Sequence, residues 1–205
     1  MTVDIAQAAL QERFDWVALD FVNTRLVTRA GHLDALHDVE HLHTWMDLVA
    51  PPGWDELRPR GVTDRRTFHA EAVRLRVAID ALMAATADQR PVDEPVVEAL
   101  ARALRWTRTT SHLAVGASGR LVLESRYEPL HPAAVLGPIA EDAVRLSSTV
   151  DPARLRRCRA DTCLRWFVDT SKGGRRAWCS MATCGNRAKA ARYRARHEET
   201  VDVFG

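Results

Sequence analysis

Between residues 38 and 50, apolar side chains recur at Val39, Leu42, Trp45, Met46 and Val49. This is the i, i+3, i+7 spacing of an amphipathic helix. Asp38 suits its N-cap, and Pro51-Pro52 removes two backbone donors and ends it. A second helix is predicted over 64–87, with Phe68, Ala72, Leu75, Ile79, Leu82 and Met83 on one side and Thr63 or Asp64 as its cap. Two more are predicted over 95–107 and 133–148. Between them, the runs 111–115 and 120–125 flank the Gly116–Gly119 turn and read as a β-hairpin. Asp151-Pro152 marks a turn. Beyond it, β-prone runs at 165–169 and 175–179 flank 170–174, where Gly173 and Gly174 permit a tight hairpin turn. Good helix formers then fill 186–196. The pattern predicts a mainly α protein with a small β-hairpin (α+β).

One segment breaks the apolar rhythm with short polar side chains: Asp20, Asn23 and Thr24. Such residues bond to nearby backbone, so they fix a helix end or turn, or else they line a polar, ligand-binding cleft in the helical body.

Charge divides the chain where the pattern changes. Residues 1–153 hold 16 Lys/Arg against 22 Asp/Glu, a net of −6, whereas 154–197 hold 13 against 2, a net of +11. A small basic module on an acidic body is the electrostatic footprint of a polyanion binder. We therefore expect a helical domain over 1–150 and a separate module over 151–205. The 46% apolar content supports a real core. No run approaches the ~18 apolar residues of a membrane helix, so no membrane partner is expected. The first residues carry no basic region and no long apolar core, which argues against a secretory signal and for the cytoplasm. His37, His41 and His43 match no catalytic zinc spacing and read as surface histidines, and no phosphate loop or nucleophile elbow occurs; no enzyme is predicted, and a small-molecule-binding, enzyme-like body tethered to nucleic acid is the weakest alternative.

The four cysteines, Cys158, Cys163, Cys179 and Cys184, read C-x4-C, fifteen residues, C-x4-C. Two equal pairs across a hairpin-length loop can surround one tetrahedral Zn2+. Two disulfides are the alternative, and redox chemistry fits poorly because its usual spacing is C-x-x-C. Four thiolates leave no open position for water, so the zinc is structural. The order knuckle, hairpin, knuckle, helix predicts a treble-clef-like finger, with Cys184 at a helix start and Trp166, Phe167 and Trp178 as its mini-core. Arg175 and Arg176, then Arg187, Lys189, Arg192, Arg194 and Arg196 on the final helix, are the candidate nucleic-acid contacts. Arginine forks suit phosphates, and basic residues in a first helical turn oppose the helix dipole. DNA is the first candidate. RNA is the rival, because Arg165-Trp166-Phe167 and Arg176-Ala177-Trp178 could stack on unpaired bases.

The string Trp178-Cys-Ser-Met-Ala-Thr-Cys-Gly-Asn-Arg-Ala-Lys189 resembles the signature of the CGNR zinc-finger family, and Leu155-Arg-Arg-Cys158 and Phe167-Val-Asp169 fit it as well. Leu19-Asp-Phe-Val-Asn-Thr24, with the helical body and its hairpin, resembles the ABATE domain that precedes this finger in bacterial proteins. The resemblance implies a bacterial, stress-induced transcription regulator with a zinc-dependent, DNA-binding finger. For the body it implies a sensing role with a small-molecule effector, without assigning chemistry to Asp20, Asn23 or Thr24. A homodimer would suit palindromic half-sites, but no dimer face is legible.

Overall fold

The computed structural model describes residues 14–28, 31–161 and 163–201, with the side chains of 26–28, 31, 32 and 195–201 left aside. In chain order the elements are α1 (Val17–Val22), β1 (Arg25–Thr28), β2 (Gly31–Asp34), α2 (Val39–Val49), α3 (Trp54–Leu57), α4 (Val62–Ala87), α5 (Glu94–Leu104), β3 (Thr107–Val115), β4 (Leu121–Pro129) and α6 (Leu136–Thr149). A 3-10 turn (Pro152–Arg154), β5 (Leu155–Arg157), β6 (Trp166–Val168), a π-helical turn (Met181–Gly185) and α7 (Asn186–Val201) complete them. Among the described residues the fold is mainly α, with three two-stranded antiparallel sheets.

Local signals worked where the chemistry is local. Asp38 caps α2 by accepting from His41 N–H, and the helix ends at Ala50, which takes a left-handed φ of 46° just before the two prolines. Helix α4 begins two residues before the predicted start. Gly61 is its N-cap with no side-chain bond, so neither Thr63 nor Asp64 caps it. The hairpin is longer than the predicted runs, because Thr107 to Thr110 and Arg126 to Pro129 extend the ladder to nine pairs. That extension ends α5 at Leu104, short of the predicted 107. The β1–β2 hairpin and short α3 carry no clear periodic signal.

Helix α4 is the axis of the body. α1, α2, α5 and α6 pack on it or on one another around it. Phe21, Trp45, Phe68, Ile79, Met83, Leu136 and Ile139 are fully buried in one core. The start of α1 is held from α6, where Asp142 Oδ2 accepts from Ala18 N–H at 2.9 Å. Arg76, buried on α4, grips Asp34 through both Nη1 (2.5 Å) and Nη2 (2.7 Å). This two-pronged bond anchors β2.

The last quarter departs from prediction in its pairing. Strand β6 pairs with β5, matching Leu155 with Val168 and Arg157 with Trp166. It does not pair with 175–179, which forms no strand. The hairpin therefore encloses the first cysteine knuckle instead of joining the two knuckles. Both candidate partners are short and β-prone, and the choice rests on burial. Pairing with β5 places Leu155 and Trp166 in the body core. The 175–179 run is held differently: Arg159 N–H donates to Ala177 O at 2.9 Å.

Candidate metal centre and nucleic-acid interface

The knuckles converge. The sulfurs of Cys158, Cys163, Cys179 and Cys184 all lie within 4.8 Å of one another. Cys163–Cys179 and Cys179–Cys184 are each 3.7 Å apart. Four ligands at ~2.3 Å around a tetrahedral zinc stand about 3.8 Å apart, whereas a disulfide needs about 2.05 Å. All four are free cysteines, three buried and one half-buried. The disulfide alternative is thereby set aside, and the four cysteines fit one structural zinc ion with no position left for a reacting ligand.

Without a cation the site is electrostatically awkward. Hydrogen bonds from the Cys163 and Cys179 thiols pull the Cys158 thiol down to about 2. Bonding to that thiolate pushes Cys163 up to about 12 and raises Cys179 as well. Metal binding requires deprotonated thiols, so a dication would draw Cys163 and Cys179 toward the thiolate form against these shifts.

Cys184, Gly185 and Asn186 of the C-G-N-R string each have a physical job in seating the last ligand. Cys184 lies near the end of the π-helical turn before α7. A Cβ on Gly185 would stand 2.5 Å from the Met181 sulfur, so a larger residue there would push the Met181 side chain aside. Asn186 Nδ2 donates to Ala182 O at 3.1 Å and ties α7 to the turn. Ser180 Oγ accepts from Thr183 N–H at 3.3 Å at the turn's start. Arg187 is exposed.

Asp169, fully buried, is the residue that sequence reasoning passed over. Its carboxylate accepts from Ser171 N–H (2.9 Å), Ser171 Oγ (2.6 Å) and Arg176 N–H (2.8 Å), closing the 170–174 turn. Burial raises its pKa, but these bonds outweigh burial and hold the carboxyl below its ordinary range. Besides its place in the Phe167-Val-Asp169 step, its sequence signal is an aspartate two residues before a Ser-Lys-Gly-Gly turn, which suits an Asx turn.

Strand β6 turns neighbouring side chains to opposite sides, as any strand must. Phe167 packs into the cysteine cluster, with Trp178 at its margin. Trp166 instead enters the core of the body, so the predicted mini-core loses one of its three aromatics. Trp166 is also clasped by polar groups. Asn23 Oδ1 accepts its backbone N–H at 2.7 Å, and Asn23 Nδ2 donates to its carbonyl at 2.8 Å. Asp80 Oδ1 accepts from its indole Nε1 at 2.7 Å and from Arg157 Nη2 at 2.7 Å, and the Arg157 guanidinium lies 4.6 Å above the indole.

The three polar residues of the N-terminal segment are buried, with protein partners. Asp20 Oδ1 accepts from Phe14 N–H at 3.0 Å. Thr24 Oγ1 donates to Phe21 O at 2.8 Å and accepts from Arg76 Nη1 at 3.0 Å. With Asn23 on Trp166, they end α1 and join it to its neighbours. A cavity of about 330 Å3 lies close by, between Phe14, Trp16 and Leu19 on one side and Val168, Thr170 and Arg176 on the other.

The basic candidates separate into two groups. Arg175, Arg187, Lys189, Arg192 and Arg194 are exposed or partly so, with Arg192 lying 5.8 Å from the Trp178 ring centroid. Arg176 is half-buried; its Nε donates to Trp178 O at 2.8 Å, its Nη2 to Cys179 O, and its guanidinium lies 5.0 Å over Phe167. Its fork is occupied by the finger. The side chain of Arg196 lies outside the described residues. The predicted alanine stripe does not seat α7 on the hairpin, since Ala188 is half-buried and Ala191 exposed. Of the aromatics offered for base stacking, Trp166 and Phe167 are buried, and only Trp178 retains partial exposure.

The architecture is therefore a helical body carrying a four-cysteine zinc finger at its C-terminal end. Residues 15–150 match the ABATE family, described as "putative stress-induced transcription regulator", and 154–197 match the CGNR zinc finger. The chain belongs to the ABATE family and carries a CGNR zinc finger. No curated protein matches it. Among the described residues, no helix is long and apolar enough to cross a membrane.

Proposed function

We propose that this chain is a cytoplasmic bacterial transcription regulator, with residues 151–205 gripping duplex DNA and residues 1–150 acting as its regulatory body. The observation that carries the reading is α7. Arg187, Lys189, Arg192 and Arg194 all reach solvent on a helix that continues directly from the turn holding the candidate zinc ligand Cys184. Like charges gathered on one exposed helix repel one another unless an anion meets them. Phosphates supply that anion, with Arg175 on the neighbouring loop as a further binding group. The finger would be oriented by Asn23 and Asp80, which bind Trp166 from the body. An effector in the cavity between Trp16 of the body and Val168, Thr170 and Arg176 of the finger would act by changing that orientation.

Duplex DNA is favoured over single-stranded RNA because two of the three aromatics that would stack on bases are inside the protein. The test is fluorescence anisotropy of the zinc-loaded chain on duplex DNA over a range of salt, with single-stranded RNA as competitor. Removing one phosphate-binding cation should flatten the slope of log K against log salt by about 0.9. Lys189→Ala with Arg194→Ala should therefore flatten it by roughly 2. An unchanged slope, or displacement of DNA by RNA at equal concentration, would overturn the reading.

A further inference from the structure

The β3–β4 hairpin is an arm with two unlike faces. Its register pairs Ser111 with Ser125, Leu113 with Leu123 and Val115 with Leu121, while His112 pairs with Glu124 and Arg108 with Glu128. Because side chains alternate, Leu113, Leu123, Val115 and Leu121 share one face with Ser111, Ser125, Thr109 and Tyr127. That face carries no charged residue. The opposite face carries the Arg108–Glu128 ion pair at 2.8 Å, Arg126 across from Thr110, and the His112–Glu124 pair.

At its base the uncharged face sits on the body. Thr107 Oγ1 donates to Ala134 O, and the Tyr127 ring lies so close to Gly53 that a Cβ there would come within 2.8 Å of it. Toward the tip the same face runs past the body into solvent, leaving Leu113 73%, Val115 70%, Leu121 71% and Leu123 71% exposed. A single exposed leucine calls for no explanation; four adjacent aliphatics on a two-stranded arm do. Such an arm has no third strand to cover it and is marginal in water when left bare.

We propose that this tip face is a self-association surface, and that its occupant is the tip of a second copy of the chain, related by a two-fold axis. Charge favours this partner. A face without charge is matched by another such face, and this chain carries one, so that two-fold packing sets aliphatic against aliphatic and buries no ion. Net charge favours an arm as the meeting point. The bodies are acidic, with 16 Lys/Arg against 22 Asp/Glu over residues 1–153, and joining them through tips that stand roughly 20 Å along a strand keeps like charges apart. Area sets the strength. The four side chains offer roughly 450 Å2 per arm, about 900 Å2 for two, which falls below the size of stable interfaces and in the range of weak, transient ones. The dimer is therefore concentration-dependent. The inference stands independently of the DNA reading.

Sedimentation velocity of the zinc-loaded full chain from ~1 μM to ~100 μM should show a reversible monomer–dimer equilibrium. Leu113→Glu with Leu123→Glu should weaken association by on the order of 100-fold. Zinc content and thermal midpoint should stay as in the wild type, because both positions face solvent. His112→Ala with Glu124→Ala, on the charged face, should leave the equilibrium in place. Leu123→Cys in the zinc-loaded protein should form a covalent dimer under mild oxidation, which reads the interface without a charged variant. A wild-type chain that stays monomeric throughout, a dimer indifferent to the glutamates, absence of the Leu123→Cys cross-link, or a monomer whose tip binds vesicles or an unrelated protein would each overturn the proposal.

Discussion

Asn23→Ala tests how the body holds the finger. The Asn23 amide makes two buried hydrogen bonds to one residue's backbone far away in sequence, donating to Trp166 O and accepting from Trp166 N–H. Removing it strands a buried backbone donor and a buried acceptor, each at about 1–3 kcal/mol, and leaves a small void. The expected loss is about 2–5 kcal/mol, a large share of the ~5–15 kcal/mol that holds a domain together. With a urea m-value of roughly 2–3 kcal/mol/M, the unfolding midpoint of the zinc-loaded chain should fall by about 1 M or more. Far-UV circular dichroism against urea reads it, and amide hydrogen exchange at Trp166 reads it locally, where protection should drop. Asn23→Asp should do no better, because the carboxylate keeps an acceptor but loses the donor that faces Trp166 O. If Asn23→Ala moved the midpoint by less than ~0.2 M yet abolished an effector response, Asn23 would be a ligand-binding residue and the clasp reasoning would fail.

Three further outcomes follow from single sites. Asp80→Ala removes the shared acceptor of the Trp166 indole and Arg157, and should cost about 1–3 kcal/mol in the same urea titration; an unchanged midpoint would show that the indole finds water instead. Cys179→Ser, or chelation of the wild type, should release the bound zinc by atomic absorption and lower near-UV circular dichroism from the finger, whereas a dichroism spectrum unmoved by metal loss would refute a zinc-held finger. His43 is buried beside Trp54 and Phe68 with Arg65 Nε donating to its Nε2, and burial followed by the Arg65 charge holds its pKa below the ordinary value. A depressed histidine pKa leaves its full stability above pH ~6.5 and loses it as pH falls through the folded pKa, by at most about 1.4 kcal/mol per pH unit. His43→Gln should flatten that acid limb in a stability series from pH 7.5 to 5, and an equally steep limb in the variant would assign it elsewhere.

What could be read before any coordinates was local. Asp38 and Pro51-Pro52 bound α2 through bonds that reach no more than one turn, and the cysteine spacing defines its metal site because both knuckles are short and self-contained. The charge reversal near residue 154 needs only counting. What could not be read was the choice between equivalent non-local partners. The 165–169 run could pair with 155–157 or with 175–179, and the burial of Leu155 and Trp166 against α4 and α1 decides for the former. For the same reason Trp166 left the finger's mini-core for the body, and Arg176 turned inward onto carbonyls while Arg175 kept its side chain toward solvent. Polarity marks Asp20, Asn23 and Thr24 as residues needing partners; Asp20 and Thr24 find some of theirs nearby, at Phe14 and Phe21, but only the fold names Trp166 for Asn23, because a hydrogen bond spanning more than a hundred residues leaves no periodic trace. The hairpin arm shows the same division: alternation assigns its two faces from the sequence, and only the tertiary structure decides that its tip extends beyond the body, uncovered.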